Sequence, residues 1–133
     1  VAPTGKKKGP IVTLPTADSP ALLLHNPKCS KSRATRALLE EHGVEFDTRL
    51  YLEEPLDEAE LRDLGRRLGQ PPVRFTRTKQ SEFAEAGLDP TSGAEEILAA
   101  MARQPILMER PILILGPRAA IGRPPEDVLA LFG

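Results

Sequence analysis

The sequence predicts an α/β domain built on a mixed four-stranded sheet with helices on both faces. Two short apolar runs, residues 21–24 and Ile112–Leu115, show no polar alternation, as strands buried on both sides require. The strand–helix–strand order at the front of the chain demands a crossover, and hence a parallel pair. Gly116-Pro117, directly after the second run, marks the turn of an antiparallel hairpin.

The elements follow in order. Residues 21–24 are the first strand, broken at Asn26-Pro27. Residues 30–42 read as a helix, with Ser30 or Ser32 available as caps. Its apolar stripe is Ala34, Ala37 and Leu38, and Gly43 stops it. Residues 44–52 alternate through Val44, Phe46, Thr48 and Leu50 as a second strand. Asp57-x-x-Glu60 is a capping-box pattern ahead of Leu61, Leu64 and Leu68, which share one helix face up to Gly69. Pro71-Pro72 opens an irregular stretch, and Ser81 starts a short helix that ends at Gly87. Ser92-x-x-Glu95 caps another helix, with Ile97, Leu98 and Met101 inward. Ile112–Leu115 and residues 119–121 form the hairpin, and residues 125–131 form a final helix. The order βαβ, helical insertion, ββα is the thioredoxin-like arrangement.

Composition narrows the function. The 133 residues are 40% apolar and 28% charged, as in one soluble globular domain. Eighteen basic residues against nineteen acidic ones give a formal charge of −1, which gives no support for a nucleic-acid or membrane-surface role. No apolar run reaches the roughly 18–20 residues of a membrane span. One cysteine and two histidines exclude a disulfide framework and the usual zinc patterns. The expectation is a cytoplasmic, reducing setting and a monomer with no metal and no bound cofactor. Residues 1–20, with Lys6-Lys7-Lys8, several prolines and no periodicity, read as a tail that is flexible or appended to the native chain. The domain proper spans residues 21–133.

Cys29 is the candidate nucleophile. It falls between the first strand and the first helix, in His25-Asn26-Pro27-Lys28-Cys29-Ser30-Lys31-Ser32-Arg33. A helix start offers unpaired N–H groups and partial positive charge, which favour a thiolate and a bound oxyanion beside it. A thiol with a pKa of about 8.5 is only about 3% ionised at pH 7, whereas one lowered to about 6.5 is about 75% ionised. His25 can hydrogen-bond near the thiolate or donate to it as a cation. His42, beside Gly43 at a helix end, reads as structural. Arg77, Arg110 and Arg123 sit next to turns or prolines, outside the periodic helices. Guanidinium groups bind tetrahedral oxyanions through paired hydrogen bonds. A phosphatase-type Cys-x5-Arg loop would need arginine where Thr35 stands, and a redox Cys-x-x-Cys would need cysteine where Ser32 stands.

His25-Asn26-Pro27-x-Cys29-x-x-Ser32-Arg33 resembles the active-site signature of the glutaredoxin-linked arsenate reductase family. Tyr51-Leu52-Glu53-Glu54-Pro55, Arg77-Thr78-Lys79, Pro105-Ile106-Leu107-Met108-Glu109-Arg110-Pro111-Ile112 and Ile121-Gly122-Arg123-Pro124 resemble its downstream motifs in order. The resemblance implies a thioredoxin-like fold and a Cys29 that attacks the arsenic of arsenate. It implies that Arg77, Arg110 and Arg123 hold the oxyanion and the thiol-arsenate adduct. His25 would help keep the thiolate, and Ser32 would hydrogen-bond to it. Glutathione would then attack the adduct, arsenite would leave, and glutaredoxin would clear the mixed disulfide. Pro111 falls at the fold's cis-proline position, so a cis Arg110–Pro111 bond is expected. Glu109 departs from this pattern by putting an acid beside Arg110. Two other functions are compatible with the fold: a thiol-dependent reductase with a different substrate, and a redox regulator that binds RNA polymerase. Regulators of that kind usually carry Cys-x-x-Cys, against which Ser32 argues.

Overall fold

The structure, a computed structural model, describes residues 14–16 and 19–132. Strand β1 (Ala21–His25) leads into helix α1 (Ser30–Glu41) and strand β2 (Phe46–Leu50). Helices α2 (Glu58–Leu68), α3 (Ser81–Glu85) and α4 (Ala94–Arg103) form the insertion, with short 3-10 turns at Pro72–Phe75 and Pro105–Leu107. Strands β3 (Ile112–Leu115) and β4 (Arg118–Ile121) precede a 3-10 helix at Pro125–Phe132. The sheet order is β2-β1-β3-β4, with β1 parallel to β2 and antiparallel to β3. This is the mixed four-stranded, thioredoxin-like architecture.

The apolar runs separate two cores. Ala21, Leu23 and Leu113 face Leu39 of α1 and Val128 and Leu131 of the last helix. Leu24, Ile112 and Ile114 face Leu61 and Leu64 of α2 and Ile97, Leu98 and Met101 of α4. Alternate residues of each strand thus bury against opposite layers, so both central strands are apolar throughout.

Several local expectations are corrected. The first helix is capped by neither Ser30 nor Ser32: Cys29 is its N-cap residue, and Ser32 is fully buried inside the first turn. Its buried face is Ser32, Thr35 and Leu39, while Ala34 and Ala37 are exposed; Leu39 packs against Val128 and Leu131 of the last helix, and Ser32 meets His25 of β1. The N-cap of α4 is Gly93 rather than Ser92, and the Glu96 carboxylate accepts from the Gly93 N–H at 2.9 Å. The last helix is 3-10 rather than α. Pro124 and Pro125 contribute no N–H, and the Asp127 N–H bonds back three residues to the Pro124 carbonyl. The capping box at Asp57 and Glu60 forms, and Gly69 ends α2 in the left-handed conformation at φ 68°.

Residues 1–13, 17 and 18 of the expected tail lie outside the described residues. Leu14 is buried in the larger core, and the Pro15 carbonyl accepts from Arg67 Nη1 at 2.6 Å. The packed structure therefore draws on residues ahead of Ala21.

Helix α1 and the loops at the hairpin's open end meet closely at Gly122. Its N–H bonds the Pro111 carbonyl at 2.8 Å, and an added Cβ would stand 2.8 Å from Thr35 Oγ1 and 3.0 Å from Pro111 Cγ. Gly122→Ala is expected to destabilise the domain by about 1–3 kcal/mol, the usual cost of overpacking a tight contact. Thermal unfolding checks this; an unchanged midpoint would mean that Thr35 yields freely.

Candidate active site

Cys29 is delivered by the β1–α1 junction. The Asn26-Pro27-Lys28-Cys29 turn closes through the Cys29 N–H to the Asn26 carbonyl at 3.0 Å, and the Lys28 N–H bonds Asn26 Oδ1 at 3.0 Å. Cys29 is partly exposed, and no side-chain hydrogen bond caps the helix start. Burial pushes the Cys29 thiol up, but the Ser32 and Lys31 amides and the Arg110 guanidinium outweigh it, and the net pKa is lowered. Those amides are the ones a capping oxygen would otherwise take. The thiolate thus benefits from the open helix start and from one arginine at once.

Beneath the sulfur lies a small polar core. His25 is 2% exposed, and its Nδ1 stands 2.6 Å from Ser32 Oγ. Ser32 Oγ also accepts from the Asn26 N–H at 3.0 Å. Burial, together with the charges of Arg36 and Arg33, lowers the His25 pKa, so its ring is neutral at pH 7. His25 Nδ1 and the Ser32 hydroxyl share this hydrogen bond. Ser32 faces the sulfur through its backbone amide, while its hydroxyl meets His25 beneath the turn. Together His25 and Ser32 fix the Asn26 backbone and so the turn that presents Cys29.

The three arginines arrive from separate elements. The hairpin pairs Ile112 with Ile121, and continuing that register two positions outward sets Arg110 opposite Arg123. The Arg123 Nε–H donates to the Arg110 carbonyl at 2.9 Å. The Arg110–Pro111 and Arg123–Pro124 peptide bonds are both cis. Arg77 comes from the insertion. Thr76 bridges Met108, the Arg77 N–H bonds the Leu107 carbonyl at 2.6 Å, and the Glu109 N–H bonds the Phe75 carbonyl at 2.9 Å. This short antiparallel strip draws Arg77 to the Arg110 loop. Burial and then the charge of Arg110 lower the Arg77 pKa, with Arg123 adding to the effect and Glu109 opposing it.

Sequence reasoning quoted Tyr51 only as part of a motif, yet it belongs to this constellation. The β1–β2 register ends at His25 opposite Leu50, so Tyr51 follows beside Asn26. Tyr51 is 1% exposed, with the Asn26 side chain among the groups that act on its hydroxyl. Burial pushes its pKa up to about 12, with the Cys29 charge adding to that rise while Arg110 and Arg77 oppose it. A buried tyrosine directly after the strand paired with the nucleophile's strand was the available signal. Among the described residues, no group of three or more His, Cys, Asp or Glu side chains could hold a metal ion, and no helix is long and apolar enough to cross a membrane. The assembly gathers a thiol of lowered pKa and three arginines at the loops beside the start of α1.

The family model described as "ArsC family" matches residues 24–131. YfgD of Escherichia coli (strain K12), an uncharacterized protein, is 49% identical over 113 residues, covering 84% of this chain and 95% of that one. An arsenate reductase of Haemophilus influenzae (strain ATCC 51907 / DSM 11121 / KW20 / Rd) is 41% identical over 113 residues, covering 84% and 97%. A solved structure, the arsenate reductase from Vibrio cholerae, matches with a TM-score of 0.79 at 43% identity and covers 83% of this chain and 95% of that chain.

Cys29 is expected to alkylate with iodoacetamide faster than a free thiol at pH 7, along a pH profile whose midpoint lies below about 8.5. Arg110→Ala should move that midpoint upward, because it removes a positive charge from the thiolate. A midpoint that stays put in Arg110→Ala would detach the guanidinium from the sulfur.

Proposed function

The chain belongs to the ArsC family, and from that membership and the thiolate site we propose that it is an arsenate reductase that draws its electrons from glutathione and glutaredoxin. The observation that carries the reading is Cys29 at the uncapped start of α1, its thiol pKa lowered in part by the charge of Arg110, with Arg123 bonded to the Arg110 carbonyl and Arg77 drawn to the same loop. The relatives named as arsenate reductases support it.

In this mechanism the guanidiniums bind arsenate and offset its charge. The Cys29 thiolate attacks arsenic, and one arsenate oxygen leaves as water after taking a proton, which gives the thiol-arsenate adduct. The thiolate of glutathione then attacks the Cys29 sulfur. An S–S bond forms, the S–As bond breaks, and its electron pair reduces arsenic from the pentavalent to the trivalent state. Arsenite leaves. A glutaredoxin thiol takes the glutathionyl group and returns Cys29 as a thiol. Cys29 is the single cysteine of the chain, so the second thiol comes from another molecule. His25 and Ser32 act as positioning residues for the turn.

Glutathione- and glutaredoxin-dependent arsenate reduction is expected in the wild type and should fall to background in Cys29→Ser. Arg110→Ala should raise the arsenate KM by roughly ten- to a hundredfold, as loss of a charged hydrogen bond worth about 1.5–3 kcal/mol implies. Absence of arsenate reduction in the wild type, with Cys29 still rapidly alkylated, would move the assignment to a thiol-dependent reductase of another substrate.

A further inference from the structure

Glu109 is the group this mechanism leaves unused. Its Oε1 stands 3.5 Å from Arg123 Nε and 4.0 Å from Arg110 Nη1, with side-chain exposures of 27% for Glu109, 16% for Arg110 and 35% for Arg123. Among the described residues, these are the only salt bridges that Arg110 and Arg123 make. The Glu109 backbone is pinned by its N–H bond to the Phe75 carbonyl, within the strip that also carries Arg77. A carboxylate is thus built into the set of guanidiniums that would receive an anion. Both contacts are longer than a hydrogen bond, so the Glu109 oxygens keep acceptor capacity for a ligand. Arg110 Nε is buried and has no partner, so the same guanidinium keeps a donor to spare.

An ionised carboxylate only accepts hydrogen bonds. Against an oxyanion that retains a proton at neutral pH it accepts an O–H···O bond. Against one that retains none it opposes lone pair with lone pair and charge with charge. We propose that Glu109 is a specificity-determining residue that accepts the hydrogen bond of a protonated tetrahedral oxyanion, arsenate or phosphate, and repels the fully ionised sulfate. The inference rests on the oxyanion reading above and specifies which oxyanions enter. The three guanidiniums supply attraction common to all three anions, and Glu109 supplies the difference between them.

The test measures protection of Cys29 from iodoacetamide at pH 7.5 and constant ionic strength, with phosphate, arsenate or sulfate as the probe. In the wild type, phosphate should half-protect at a concentration about tenfold or more below that of sulfate, the ratio expected of one hydrogen bond gained against none. Glu109→Gln should bring the two within about threefold, mainly by tightening sulfate, since the amide can donate to it. Glu109→Asp should keep the wild-type order. A carboxylate that merely props up the loop would loosen every anion when replaced, so tighter sulfate is the distinguishing sign. Equal protection by phosphate and sulfate in the wild type overturns the proposal without any variant. An unchanged ratio in Glu109→Gln, or in Glu109→Ala should the first misfold, also overturns it. If discrimination is present but arsenate is never reduced, the reductase reading falls and this one stands. If arsenate is reduced and the ratio ignores Glu109, the reverse holds. If no anion protects Cys29, both fall.

Discussion

The site depends on the uncapped start of α1. Most helices satisfy their first amides with a serine, threonine, aspartate or asparagine oxygen. Here the N-cap residue is Cys29, and the Lys31 and Ser32 amides are left to stabilise its sulfur as an anion. Ser32, inside the first turn, directs its hydroxyl down to His25 and accepts from the Asn26 N–H. The polar pair beneath the turn therefore does more than fill space: it holds the turn.

The anion-binding side rests on backbone pairing more than on side-chain packing. Arg110 and Arg123 face each other because β3 and β4 pair in one register, and Arg77 joins them because residues 75–77 run antiparallel to residues 107–109. Bringing three like charges together opposes folding, and the charge of Arg110 adds to burial in lowering the Arg77 pKa. Glu109 offsets part of it from within the same loop. Its position between two guanidiniums gives one side chain both a structural and a selective task.

Much of the architecture was legible in the residues. The apolar runs in β1 and β3 marked the central strands, the Asp57 and Glu60 box marked α2, and Gly116-Pro117 marked the hairpin turn. The candidate nucleophile stood out because a lone cysteine occupied a strand-to-helix junction. What the sequence hid were interactions between distant segments. The Thr76–Met108 bridge joins residues more than thirty positions apart, and neither carries a periodic signal. The buried face of α1 misled because Ser32 and Thr35 are polar by type yet fully buried, Ser32 bonded to His25 and Thr35 donating to the Lys31 carbonyl one turn back. Tyr51 escaped for the same reason, since its neighbours come from β1, the insertion and the hairpin loop.

The Arg110–Arg123 pairing also constrains how this chain can evolve. Side chains along a strand alternate between faces, so a slip of one position between β3 and β4 would send one arginine away from the sulfur. A one-residue insertion or deletion at Gly116-Pro117, at the opposite end of the hairpin from Arg110 and Arg123, would then act as an active-site lesion while leaving every charged residue in place. Lineages of this domain should keep the length of that turn, and with it the glycine whose φ of 56° the turn requires.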